Sequence, residues 1–178
     1  MKQSVQFIVN EQGLPEYAVL SYERYKQLIE GSTNEAKPVA SALLCDDQRF
    51  IALPYGGSGA QLDVARLADL MQRSGKTQIA INQRAQALDK FPEDQRATLD
   101  PLIRRVFLAK DSPYKNTMQA TQEVIDALVE TGIFHRTQAK FGYSARVVKA
   151  LEVNQGALHA YLQEHGPVTD PIDVAELD

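Results

Sequence analysis

The sequence predicts an α+β fold: N-terminal β-hairpin/helix units, then a mostly helical C-terminal region ending in a helix-turn-helix-like pair. Three observations predict it. Short apolar-alternating segments flank Gly- and Pro-containing turns near the N-terminus. Apolar residues recur at helical spacing from Leu62 onward. Capping residues (Ser21, Asn116, Asn154) and stopping glycines (Gly31, Gly75, Gly132) punctuate those stripes.

The elements follow in order. Val5–Val9 alternates as a strand, residues 10–15 hold Asn, Gly and Pro of a turn, and Tyr17–Leu20 returns. Ser21 then caps a helix whose Tyr22, Tyr25, Leu28 and Ile29 share one face, with Gly31 as its stop. Residues 32–38 are a polar linker. SALLCDD and RFIALPY read as a second strand pair, and GGSGAQ as a flexible connection. Leu62, Ala65, Leu67, Leu70 and Met71 stripe a helix that stops at Gly75. QIAI, residues 78–81, fits helix or strand, and everything after Asn82 reads as helical. Asp100-Pro101 starts one helix, because Pro at the first helical position loses no internal hydrogen bond. Asn116 caps the next, striped by Met118, Thr121, Ile125, Leu128 and Val129. Helices over Ser144–Leu151 and Asn154–His165 close the ordered part. The expected organisation is a hairpin and helix over 1–31, a mixed middle region over 38–115, a helical region over 116–166, and a mobile acidic tail over 167–178.

Composition narrows the function classes. The chain has 178 residues, 44% of them hydrophobic, enough for a packed core. No apolar run reaches membrane-spanning length, MKQSVQ lacks a leader's apolar stretch, and Cys45 is a single thiol. A cytoplasmic protein with no membrane contact is the expectation. The net charge of −4 argues against a bulk nucleic-acid coat. The charges are segregated, however. Residues 131–150 carry Arg136, Lys140, Arg146 and Lys149 and no acid, whereas 151–178 carry six acids and no Lys or Arg.

Catalytic signatures are incomplete. Gly56–Ala60 (GGSGA) has the shape of a nucleophile elbow with Ser58, but its acid and His would need later strands that the sequence does not predict. A small-molecule binder or enzyme using the Gly56–Gly59 loop is the second alternative to the main functional reading. Ser74–Thr77 (SGKT) lacks the earlier Gly of a phosphate-binding loop, since position 70 is Leu70. His159 and His165 are six apart, not the four that puts two imidazoles on one helical face, so no metal is expected. The expectation is a non-enzyme with no catalytic residues and no cofactor.

The C-terminal stretch ARVVKALEVNQGALHAYLQEHG, Ala145–Gly166, places Val147, Val148 and Leu151 on one face, Val153 in a turn, Asn154 as cap, and Leu158, Tyr161 and Leu162 on the next face. It resembles the Fis-type helix-turn-helix. That resemblance implies a second helix in the major groove, with Gln155 able to read adenine and His159 nearby. The cations Arg136, Lys140, Arg146 and Lys149 would hold phosphates. The candidate DNA-binding set is thus Arg136, Lys140, Arg146, Lys149, Asn154, Gln155 and His159. Phe134, Phe141 and Tyr143 among them fit either stacking or core. A plain helical hairpin in the core is the competing reading of 145–166.

The opening stretch resembles Phd/YefM-type antitoxins through Gly13, Pro15, Ala18, Val19, Leu20, Ser21, Tyr25 and Leu28. The resemblance implies a symmetric homodimer, with Phe7, Val9, Tyr17, Val19, Tyr22, Tyr25 and Leu28 as candidate dimerisation residues. A second copy or the chain's own middle region would cover their apolar surface. Together the two resemblances imply a bacterial DNA-binding transcriptional regulator, antitoxin-like and autoregulatory, whose partner is double-stranded DNA. The alternative is an interaction module that neutralises a cognate toxin or another protein without touching DNA.

Overall fold

A computed structural model describes residues 6–9, 15–19 and 41–177 of the chain, which divides into two units, 1–39 and 40–178. In the first unit, β1 (Gln6–Val9) pairs antiparallel with β2 (Pro15–Val19). The register sets Phe7 opposite Ala18 and Ile8 opposite Tyr17, with a bulge between Ile8 and Val9. The expected hairpin is present. The expected helix, with Tyr22, Tyr25 and Leu28, lies outside the described residues.

The second unit begins with β3 (Phe50–Ala52) and β4 (Gln61–Asp63), an antiparallel pair. SALLCDD contributes a single bridge, Leu44 to Ile51, so the true partner of RFIALPY lies after the Gly-rich loop. That loop is the hairpin connection itself. Gly57 has φ 92°, and a Cβ on Gly56 would sit 2.6 Å from the Ala60 Cβ, so the turn and its close packing already require glycine there. Asp63 caps α1 (Val64–Ser74) by accepting the N–H groups of Ala65 and Arg66 at 2.9 and 3.2 Å. Gly75, at φ 66°, ends the helix in the left-handed conformation. Val64, Leu67, Ala68, Leu70 and Met71 of α1 are fully buried.

QIAI resolves as β5 (Gln78–Ala80). Helix α2 (Leu99–Val106) starts earlier than expected, with Pro101 third in the helix rather than first; Thr98 stands at the N-cap position, and its hydroxyl donates to the Gln95 carbonyl instead of capping. The buried Asp100 Oδ1 accepts the N–H groups of Gln119 and Ala120 at 2.7 and 2.8 Å. Arg104, also on α2, donates to the carbonyls of Gln86 and Arg84 at 2.7 and 2.9 Å. One buried pair thus fastens both long connections flanking α2. The cap of α3 (Gln122–Glu130) is Thr121; Asn116 instead accepts the Leu88 N–H.

The region after Asn82 is not wholly helical. After α3 the chain forms β6 (Phe134–Ala139), then β7 (Val148–Val153), and only then α4 (Gln155–His165). The sheet runs in the order β5-β7-β6, all antiparallel. The helix expected over Ser144–Leu151 is therefore a strand, and the helix-turn-helix-like pair is not formed. The reason is physical. As the central strand, β7 buries part of each face, Ala150 on one and Leu151 on the other, so the strict polar alternation of a half-buried strand is lost. Val147, Val148 and Leu151 then mimic a helical stripe.

Helix α4 follows the reading, with Asn154 accepting the Ala157 N–H at 3.2 Å. Its Leu158 and Tyr161 join the core. The Tyr161 hydroxyl donates to the Gln48 carbonyl at 2.9 Å, and burial pushes that phenol's pKa up. The segment beyond α4, expected as a mobile tail, is instead laid on α1 and α2, with Ile172 and Leu177 buried. Among the described residues no helix is long and apolar enough to cross a membrane.

Candidate nucleic-acid interface

The basic segment of residues 131–150 is the β6–β7 hairpin. Its base is core. Phe134 and Leu151 are fully buried and Val153 nearly so. Register puts Arg136 opposite Leu151 and Gln138 opposite Lys149, so Phe134, Arg136 and Gln138 share a face with Val153, Leu151 and Lys149. Along that face the side chains change from apolar to cationic with distance from the core. Arg136, Gln138 and Lys149 are exposed.

The connecting loop carries Lys140 and Arg146, both exposed. It is shaped by its own hydrogen bonds. The Ser144 N–H donates to the Phe141 carbonyl at 2.9 Å, and the Ser144 hydroxyl donates to the Arg146 carbonyl at 2.8 Å. Phe141 and Tyr143 stack on one another with ring centroids 5.8 Å apart. Burial raises the Tyr143 phenol pKa, with Asp94 adding to the shift and Arg84 opposing it. Of the two readings for the aromatics, Phe134 is core, while Phe141 and Tyr143 build the loop. Val147, in the same loop, is 59% exposed.

Among the described residues, Lys140, Arg146 and Lys149 form no ion pair, whereas Arg136 pairs with Asp126 of α3. The exposed side of α3 is otherwise Gln122 and Glu123, and the helix contains no Lys or Arg. Hydrogen bonds from its own backbone N–H and from the Thr121 hydroxyl hold the Glu123 pKa below its ordinary value, so the carboxylate stays charged at the helix start.

The seven expected DNA-binding residues therefore separate. Arg136, Lys140, Arg146 and Lys149 gather on one hairpin. Asn154, Gln155 and His159 lie on α4, beyond the hairpin base. Six residues of β7, about 20 Å at 3.3 Å per residue, stand between them and the loop. Asn154 is engaged as a cap, and His159 Nε2 lies 3.0 Å from Gln163 Nε2. Two hairpin features escaped the sequence reading: Gln138, and the turn centred on Gly142. The residues FGYS between two β-branched-rich or polar-alternating runs are the signal that marks them.

Ser58 borders a separate cleft of about 480 Å³ with Asp63 and Arg66. His135 lies on β6, His159 on α4, and His165 binds the Tyr161 and Asp47 carbonyls, so none of the three hydrogen-bonds Ser58.

No protein-family model matches the chain, and neither a curated protein nor a solved structure matches it.

Proposed function

We propose that this chain is a DNA-binding transcriptional regulator whose β6–β7 hairpin makes the principal contact with double-stranded DNA. One observation carries the reading. The hairpin presents Arg136, Lys140, Arg146 and Lys149 with no carboxylate over residues 131–150, its one acid, Glu152, lying at the base opposite His135, while the preceding helix presents Glu123 and Asp126. Phosphates are drawn to the first and repelled by the second. A two-stranded ribbon fits the major groove as well as a helix does. Lys140, Arg146 and Lys149 hold phosphates, and Gln138, beside Lys149, is the side chain placed to meet a base edge.

The connectivity supports the same reading by analogy. Helix, strand, helix, helix, strand, loop, strand, with the sheet ordered β5-β7-β6, is that of a winged helix, and the hairpin is its wing. The likeness of residues 7–31 to Phd/YefM-type antitoxins extends the proposal to an autoregulatory cytoplasmic homodimer joined through the N-terminal unit. The test is fluorescence anisotropy on a duplex from upstream of the chain's own gene. Binding is expected to weaken in K140A/R146A/K149A, with a log–log salt slope shallower by about 0.9 per cation removed. An unchanged slope removes the hairpin from the interface.

A second reading is favoured by Val147, an exposed aliphatic side chain in the same loop as a stacked aromatic pair. In that reading the hairpin grips a protein, such as a cognate toxin. Loss of a co-purifying partner in V147D, with DNA affinity unchanged, distinguishes it.

A further inference from the structure

The segment after α4 runs over a row of cations that meet its main-chain carbonyls. Arg66 Nε donates to the Asp170 carbonyl at 2.7 Å, and its Nη2 lies 2.8 Å from the Asp170 carboxylate. Arg73 Nη2 donates to the Ile172 carbonyl at 2.5 Å, and its Nε pairs with Asp69 of its own helix at 2.8 Å. Lys76 Nζ donates to the Leu177 carbonyl. From α2, Arg105 Nη2 donates to the Glu176 carbonyl at 2.9 Å and pairs with its carboxylate at 2.8 Å. Ile172 and Leu177 anchor the segment, 3% and 2% exposed. The tail brings Asp170, Asp173 and Glu176 and no cation of its own.

The row does not end under the tail. Arg66 and Arg73 are seven residues apart on α1, two turns along one face, and Lys76 follows just past the helix end. Lys76 and Leu177 line the same cleft, of about 200 Å³, as Phe141 and Tyr143 of the hairpin loop. That cleft, which Asp94 also lines, joins Lys76 to the part of the hairpin loop that lies between Lys140 and Arg146.

We infer that Arg66 and Arg105 form a second phosphate-binding surface for duplex DNA, joined to the hairpin through the cleft at Lys76, which the carboxylates of the acidic tail occupy when DNA is absent. Tail and DNA backbone then compete for the same cations. The inference rests on the hairpin reading above. Charge complementarity selects a polyanion, and continuity with the hairpin selects the duplex that the hairpin already holds. Ile172 and Leu177 keep the tail close by after its carboxylates are displaced, so the competition is between neighbours rather than free species.

Removing the tail would expose the seats of Ile172 and Leu177, so the informative variant is D170N/D173N/E176Q, which retains both anchors. Its affinity for the upstream duplex, followed by anisotropy across a salt series, is expected to be several-fold tighter than that of the unaltered chain. The salt slope is expected to steepen by about 0.9 for each freed cation. Adding R66A/R105A to that background is expected to cancel the gain. Hairpin-dependent binding with no gain in the tail variant overturns the inference and leaves the hairpin reading standing. Binding insensitive to K140A/R146A/K149A in both backgrounds overturns the hairpin reading and the inference with it. Displacement of the tail by a free acidic peptide but not by duplex, read from amide exchange at Ile172 to Leu177, assigns the row to a protein partner and likewise overturns the inference.

Discussion

Arg104 Nη2 lies 2.5 Å from Asp100 Oδ2, one turn earlier on α2, and both side chains are fully buried. Burial pushes the Asp100 carboxyl pKa up, while the Ala120 and Gln119 N–H groups and Arg104 draw it back toward the charged form. The Arg104 guanidinium also lies 5.5 Å from the Phe91 ring centroid. Asp100→Ala leaves a buried cation and two N–H groups without their partner. A loss of about 3–5 kcal/mol is expected, read from urea denaturation. The double replacement D100L/R104M should lose less than D100A, because it removes both charges together.

Asp126 competes with any phosphate for Arg136. Asp126→Asn frees that guanidinium and removes a negative charge beside the hairpin. DNA binding is expected to tighten and its salt slope to steepen by about 0.9. Arg136→Ala should then abolish the gain. A D126N protein that binds no better in the anisotropy titration would place Arg136 outside the interface.

Tyr161→Phe tests how α4 is held. The phenol O–H is the partner of the Gln48 carbonyl, and Gln48 itself has φ 55°. Loss of about 1 kcal/mol is expected by chemical denaturation, with DNA binding unchanged. A matching loss of DNA affinity would show that α4 and its Gln155 and His159 belong to the interface after all.

Asp47 gives a pH signature. The Cys45 thiol donates to its carboxylate at 2.6 Å and the Arg49 N–H at 2.9 Å, and these hydrogen bonds hold its pKa below the ordinary 3.8. A folded value below the unfolded one means that the contribution is present above the unfolded carboxylate range. It is lost as pH falls through the folded value. A carboxyl NMR titration should place the Asp47 midpoint below the ordinary value, and Cys45→Ala should move it back up.

The parts legible in the sequence are those where one local rule dominates. Asp63, Val64 to Met71 and Gly75 announce α1 through cap, stripe and stop. Asn154 announces α4 in the same way. The N-terminal ribbon follows from a Gly/Pro turn between alternating runs. The illegible parts depend on partners remote in sequence. Strand β7 looks helical because β5 and β6 cover its edges and the core covers part of its faces, so its side chains need not alternate. Asp100 looks like a helix-start residue, and its role is set by backbone groups at 119 and 120. The acidic tail looks free because its neutralising arginines lie about 70 to 100 positions upstream. Four of the seven candidate DNA-binding residues come together because charge clustering survives a change of element type, from expected helix to hairpin.

The Asp100–Arg104 pair also bears on how the chain reaches its fold. Its hydrogen-bond partners arrive from residues 84 and 86 on one side and 119 and 120 on the other, each across a connection without long regular structure. Until both loops close, burying either charge is unfavourable, so helix α2 gains little by docking early. Closure of the two loops and burial of α2 are therefore expected to occur together. A slow refolding step is expected to carry the signal of α2, and to disappear when both charges are replaced by apolar side chains.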